Sequence, residues 1–222
     1  MWRKLLGILT LFSFLPYFSI CQNKLRENGW YHILSGQTDS ISREPIVTTK
    51  DFIALSTMRY SHWEDFAAKL DEPLGQFINI YRPACFDRVG LRYVNAFSRE
   101  QLGLVGRRWN DLLQPSYLGV LDEDDIDEGS VSKCSVDVER RLDAQSALKL
   151  HAGPGFVQRN VRNGNQVQRV QEKEVRFILD QDVYSTAKVN VAAVPETLNA
   201  LHGHADQIFS DAITTVLHDA ME

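Results

Sequence analysis

Twice along this chain an apolar pattern with a period of two gives way to one with a period near 3.6, and that change limits the fold more than any other feature. Alternation puts successive side chains on opposite faces of a strand, whereas steps of three and four put them on one stripe of a helix. In the first half, Ile46-Val47-Thr48-Thr49 and Phe52-Ile53-Ala54-Leu55-Ser56-Thr57 read as strands, preceded by a short strand over residues 30–35 and a polar, turn-rich stretch. From Ser61 the stripe Trp63, Phe66, Ala67, Leu70, Leu74, Phe77, Ile78, Tyr81 predicts a helix. Ser61 as N-cap with Glu64 three residues on forms a capping box. Pro73 is expected to kink or split the helix and Pro83 to end it, after which residues 86–97 return to strand character.

Residues 98–129 show no clear period and close on the acidic run Asp122-Glu123-Asp124-Asp125-Ile126-Asp127-Glu128, read as a solvated connector because it lacks the glycine and spacing of a calcium loop. Strands follow over residues 132–142, 147–152, 156–161, 167–172 and 175–184, with turns at Gly153-Pro154-Gly155 and Asn163-Gly164-Asn165. Pro195 suits the first turn of one long helix reaching His218, striped by Leu198, Leu201, Ala205, Ile208, Phe209, Ala212, Ile213, Val216 and Leu217. Strands followed by a helix, twice, imply an α+β fold of two lobes, each an antiparallel sheet followed by a packed helix. The division expected is a first lobe over residues 22–121, an acidic connector over 122–130 and a second lobe over 131–222.

Residues 1–21 have a different look. Arg3-Lys4 precedes an apolar run from Leu5 to Ile20, the shape of a secretory signal, and with Pro16 inside it the run is short for a membrane span. The segment is expected to lie outside the packed core, as a signal or a mis-assigned start, with a first strand or helix of the core as the alternative.

The 222 residues carry 24 Lys+Arg against 29 Asp+Glu, a net charge of −5, and 44% are hydrophobic. That balance excludes a disordered or fibrous chain, and its mild acidity gives no indication of nucleic-acid binding. No P-loop, dinucleotide fingerprint, nucleophile elbow or zincin motif is present. Cys21, Cys85 and Cys134 are too far apart for a zinc site, and Cys85 and Cys134 are expected to be small buried hydrophobes. His202 and His204, two apart on a helix, diverge and cannot share a metal. No metal or cofactor is expected.

The stretch Asp87-Arg88-Val89-Gly90-Leu91-Arg92-Tyr93-Val94-Asn95 carries the candidate site. In a strand, Arg88, Gly90 and Arg92 share one face, and Val89, Leu91, Tyr93 and Asn95 the other. Two guanidinium forks about a glycine suit a carboxylate or phosphate. They equally suit internal pairing with Asp180 and Asp182, which share the polar face of a later strand, and internal pairing between the lobes is the preferred reading.

The order Tyr60-x-x-Trp63-x-x-Phe66, Arg88-Val89-Gly90-Leu91-Arg92-Tyr93-Val94-Asn95, Leu179-Asp180-Gln181-Asp182-Val183-Tyr184, then Leu201-His202 with Phe209 and Ile213-Thr214, resembles a sporadically distributed bacterial family of uncharacterised proteins. The resemblance runs from Trp30 to the C-terminus and implies no particular reaction. Its members lack a signal-like segment, so the cytoplasm is expected, with export through residues 1–21 as the alternative. Two functions follow as expectations. One is a non-catalytic binding or interaction protein, with a protein partner or a small anionic ligand, and by analogy of distribution an accessory or defence component. The other is an enzyme acting on a phosphorylated or carboxylated substrate at an Arg88/Arg92 groove, with Asp180 or Asp182 as general base and Tyr93 or His202 nearby. Oligomeric state is left open.

Overall fold

The computed structural model describes residues 5–12, 46–48, 52–57, 60–163 and 166–222. Its strands are β1 (Leu5–Phe12), β2 (Ile46–Thr48), β3 (Phe52–Thr57), β4 (Cys85–Phe86), β5 (Arg88–Phe97), β6 (Val136–Arg141), β7 (Ser146–Asn163), β8 (Gln166–Ser185) and β9 (Val189–Asn190). The helices are α1 (Trp63–Tyr81), α2 (Val194–Ala212) and α3 (Thr215–Met221). The fold is α+β, and in each half antiparallel strands are followed by a packed helix.

Seven strands form one sheet in the order β2-β3-β1-β5-β8-β7-β6, so the two halves join edge to edge where β5 pairs antiparallel with β8. A separate two-stranded sheet pairs β4 with β9. Val89, Leu91, Tyr93 and Phe97 of β5 and Phe177, Leu179 and Val183 of β8 are buried on one face. There they share a single apolar cluster with Trp63, Phe66, Leu70, Leu74 and Phe77 of α1 and with Leu198, Leu201, Ala205, Ile208 and Phe209 of α2. Each fully buried Leu, such as Leu201, contributes about 1.5–3 kcal/mol.

Several expectations are corrected. Leu5–Phe12 does not lie outside the packed structure; it is a strand hydrogen-bonded between β3 and β5, with Leu9 opposite both Leu55 and Leu91. A continuous apolar run is equally what a signal core and a doubly flanked strand require, so the pattern itself cannot choose. The strand expected over residues 30–35 and the cysteine at 21 lie outside the described residues.

The first helix begins at Trp63, with His62 as N-cap and no side-chain cap; the Ser61 hydroxyl bonds Asp65 instead, so there is no capping box. Pro73 sits within an unbroken α1. The helix stops at Arg82, whose φ of 47° is left-handed and whose N–H closes on the Ile78 carbonyl just before Pro83. The stretch before the acidic run, which shows no clear period in sequence, packs into the core through Trp109, Leu112, Leu113, Leu118 and Leu121, on short 3-10 turns. The acidic run is held from outside. Arg108 donates to the Glu123 carbonyl at 2.8 Å and the Ile126 carbonyl at 3.1 Å, while Arg99 pairs with Glu128 at 2.9 Å and lies 4.1 Å over the Trp109 ring.

The long C-terminal helix is two helices. Ile213 adopts an extended conformation and bridges to Leu113, and the Thr214 side chain accepts from the Leu217 N–H to start α3. Gly153-Pro154-Gly155 is no turn but lies inside β7. A Cβ on Gly153 would stand 2.4 Å from the Cys134 carbonyl oxygen, so the glycine serves close backbone approach. Cys85 and Cys134 are half-buried rather than core residues, and the Cys134 thiol faces the Leu118 carbonyl at 3.3 Å.

Candidate functional site

The sheet divides the residues that the sequence grouped together. Arg88, Arg92, Asp180 and Asp182 stand on one face, whereas Tyr93 and Asn95 are buried on the face that α2 covers. On the charged face each guanidinium is taken by a carboxylate. Arg88 Nη2 donates to both Asp182 oxygens at 2.7 and 2.8 Å. Arg92 Nε donates to Asp180 Oδ1 at 2.7 Å, and its Nη2 to Oδ2. The Asp180 hydrogen bond raises the Arg92 pKa above its ordinary value.

Gly90 explains how Arg88 reaches a partner on the neighbouring strand. Tyr184 is directly opposite Gly90 and Asp182 is opposite Arg92, so Arg88 must cross Gly90 to reach Asp182. A Cβ at Gly90 would lie 2.6 Å from Arg88 Nη1, and the crossing guanidinium rests 4.5 Å above the Tyr184 ring. The Tyr184 hydroxyl donates to Glu139 at 2.9 Å, and burial with this bond pushes its pKa up to about 12. The arginines are thus committed to a closed network.

The opposite face holds a pocket of about 240 Å³ between the start of α1, the middle of α2 and the sheet. Tyr93, Asn95 and Gln181 form its floor, Gln181 being directly across from Tyr93 and fully buried. The Tyr93 hydroxyl lies 3.1 Å from His202 Nδ1 and 3.3 Å from the Tyr60 hydroxyl. The His202 ring stacks on Trp63 with centroids 4.7 Å apart and planes 14° from parallel. Trp63 is itself fixed, because its Nε1–H donates to Asn199 Oδ1 at 2.8 Å. Glu64 and Asp206 stand exposed at the mouth, and among the described residues no lysine or arginine lines the pocket.

Burial tunes these groups toward neutrality. Desolvation lowers the His202 pKa, against an upward pull from Asp206 and Glu64, which favours the neutral imidazole. Desolvation lifts Tyr93 far above the ordinary phenol range and raises Tyr60 as well. A Tyr93 hydroxyl donating to Nδ1 leaves the His202 proton on Nε2. Most telling, Asn95 Nδ2 and both amide atoms of Gln181 are buried without a hydrogen-bond partner among the described residues.

His204, two residues beyond His202, turns the other way and meets Asp143 at 2.7 Å. Gln181 and Asn95 were legible as polar residues at inward positions of apolar strand faces, beside Leu179 and Val183 and beside Leu91 and Tyr93. Sequence pattern could not show that α2 brings His202 over them. Among the described residues no helix is long and apolar enough to cross a membrane. Fold and site together define an α+β protein with a polar pocket under its second long helix. No family model matches the chain, and neither a curated protein nor a solved structure matches it.

Proposed function

We propose that the protein is a non-catalytic binding protein whose pocket takes a small uncharged or cationic molecule with an adjacent hydrogen-bond donor and acceptor, such as a carboxamide, a urea or a nucleobase edge. The observation that carries this reading is the fully buried Gln181, whose amide oxygen and nitrogen both lack a partner among the described residues, as does Asn95 Nδ2 beside it. Leaving such a buried group unsatisfied costs about 1–3 kcal/mol, which a complementary ligand recovers on binding. Trp63 and Tyr60 supply flat apolar walls, and Glu64 with Asp206 at the mouth disfavours an anion.

The catalytic alternative is poorly supported. Its proposed anion-binding arginines are already paired with carboxylates, and its proposed bases lie across the sheet from Tyr93 and His202. Thermal shift with a panel of neutral amides, ureas, nucleosides and amines, set against carboxylate and phosphate counterparts, tests the reading. Stabilisation is expected only from the first group. Gln181→Leu should hold or raise the melting temperature, since an apolar replacement removes the unsatisfied amide, while abolishing the ligand shift. Stabilisation by anions alone, or an undiminished shift in Gln181→Leu, would refute it.

A further inference from the structure

The two longest strands outgrow the sheet that holds them. β6 pairs with β7 only as far as Ala152, and β5 pairs with β8 only as far as Phe177. Beyond a bulge between Phe156 and Gln158, residues 158–163 and 166–171 pair only with each other among the described residues. They form a two-stranded arm of about 20 Å, at roughly 3.3 Å per residue. An isolated hairpin of this kind is marginal in water, and among the described residues neither of its outer edges pairs with another strand. Its root, in contrast, is firmly seated: Arg176 pairs with Glu172 and Glu174, and the Ser98 hydroxyl donates to Glu174 at 2.6 Å.

Charge along the arm is one-sided. Residues 158–171 contain Arg159, Arg162 and Arg169 and no Asp or Glu, in a chain whose net charge is −5. The cleft at the arm's root has the opposite character. It measures about 760 Å³, and six carboxylates line it, from Glu100, Asp124, Asp125, Asp127, Glu128 and Glu174, against three guanidiniums. Its apolar lining includes Val105, 75% exposed, and Val175, and Phe156 opposite Val175 on the arm is 52% exposed.

We infer that the arm docks on a second copy of this chain, as a two-fold dimer in which each basic tip enters the acidic cleft at the root of the partner's arm. A two-fold axis makes every contact reciprocal, so an arm that is basic at its tip and acidic at its root is self-complementary when two copies lie antiparallel. Docking would pair the strand edges that have no partner among the described residues and cover the exposed Phe156 and Val175. The inference is independent of the pocket under α2, which lies elsewhere on the sheet.

Light scattering coupled to size exclusion, over a concentration series reaching about 100 µM, tests it by mass action. The full chain should dimerise at low salt, and raising the ionic strength to about 0.5 M should weaken the dimer tenfold or more, because exposed charge pairs are screened there. The triple variant Arg159→Glu/Arg162→Glu/Arg169→Glu should be monomeric with an unchanged thermal melt, as should Glu100→Lys/Asp125→Lys at two exposed cleft positions. Mixing the two variants should restore a dimer. A monomeric wild type at every concentration, or a dimer indifferent to the arm variant, would overturn the inference. So would a monomer whose arginines instead bind duplex DNA in a mobility-shift assay.

Discussion

Replacing Arg88 by alanine removes a guanidinium that grips both oxygens of Asp182 and covers Tyr184. The magnitude follows from exposure. The side chains of Arg88 and Asp182 are 12% and 22% exposed, between a solvated pair, worth about 0–1 kcal/mol, and a fully buried one, whose breaking costs about 3–5 kcal/mol. Arg88→Ala is therefore expected to cost about 2–3 kcal/mol, a drop in Tm of roughly 5–10 °C for a chain of this size. Arg92 is 37% exposed, and Arg92→Ala should cost only about 1 kcal/mol. Removing both partners together, as Arg88→Met/Asp182→Leu, strands no charge and should recover most of the loss. Denaturant unfolding of Arg88→Met, Asp182→Leu and their double, read as a mutant cycle, measures the coupling. A single-variant loss below about 0.5 kcal/mol would refute the reasoning and return Arg88 to the class of ordinary solvated charges.

Gly153→Ala would drive a Cβ against the Cys134 backbone, and a destabilisation of about 1–3 kcal/mol in thermal melts is expected; an unchanged melt would remove the close-packing role. A chain lacking residues 1–12 leaves β3 and β5 without the strand between them and should lose its cooperative transition by circular dichroism; retained cooperativity would show β1 to be dispensable. Because burial lowers the His202 pKa in the folded state, the stabilisation from keeping it neutral is complete above its unfolded value of about 6.5 and is lost as pH falls below that toward the folded value. Wild type should therefore lose more stability than His202→Phe between about pH 7 and pH 5, and parallel pH profiles would contradict this.

Much was legible locally because a strand or helix records its buried face in its period. The alternation of Val89, Leu91 and Tyr93 against Arg88, Gly90 and Arg92 states which side chains share a face, and the structure keeps that division. The same holds for the α1 stripe and for the inward set of β8. Asp180 and Asp182 were legible as a pair on one polar face, though which arginine each would meet depends on register. The diagonal of Arg88 over Gly90 exists only once β5 and β8 are aligned.

Local residue pattern sets the α+β class, the inward and outward faces of each long strand, and the two helical stripes. Tertiary structure alone decided that the halves share one sheet, that an apolar run near the start is its inner strand, that Ile213 leaves the helix to bridge Leu113, and that His202 and Gln181 meet in one pocket. The physical reason is the range of the interactions. Periodicity reflects how neighbours a few residues apart share a face, whereas strand order and the surroundings of a buried side chain are settled between segments distant in sequence, as Arg88 and Asp182 are at a separation of 94.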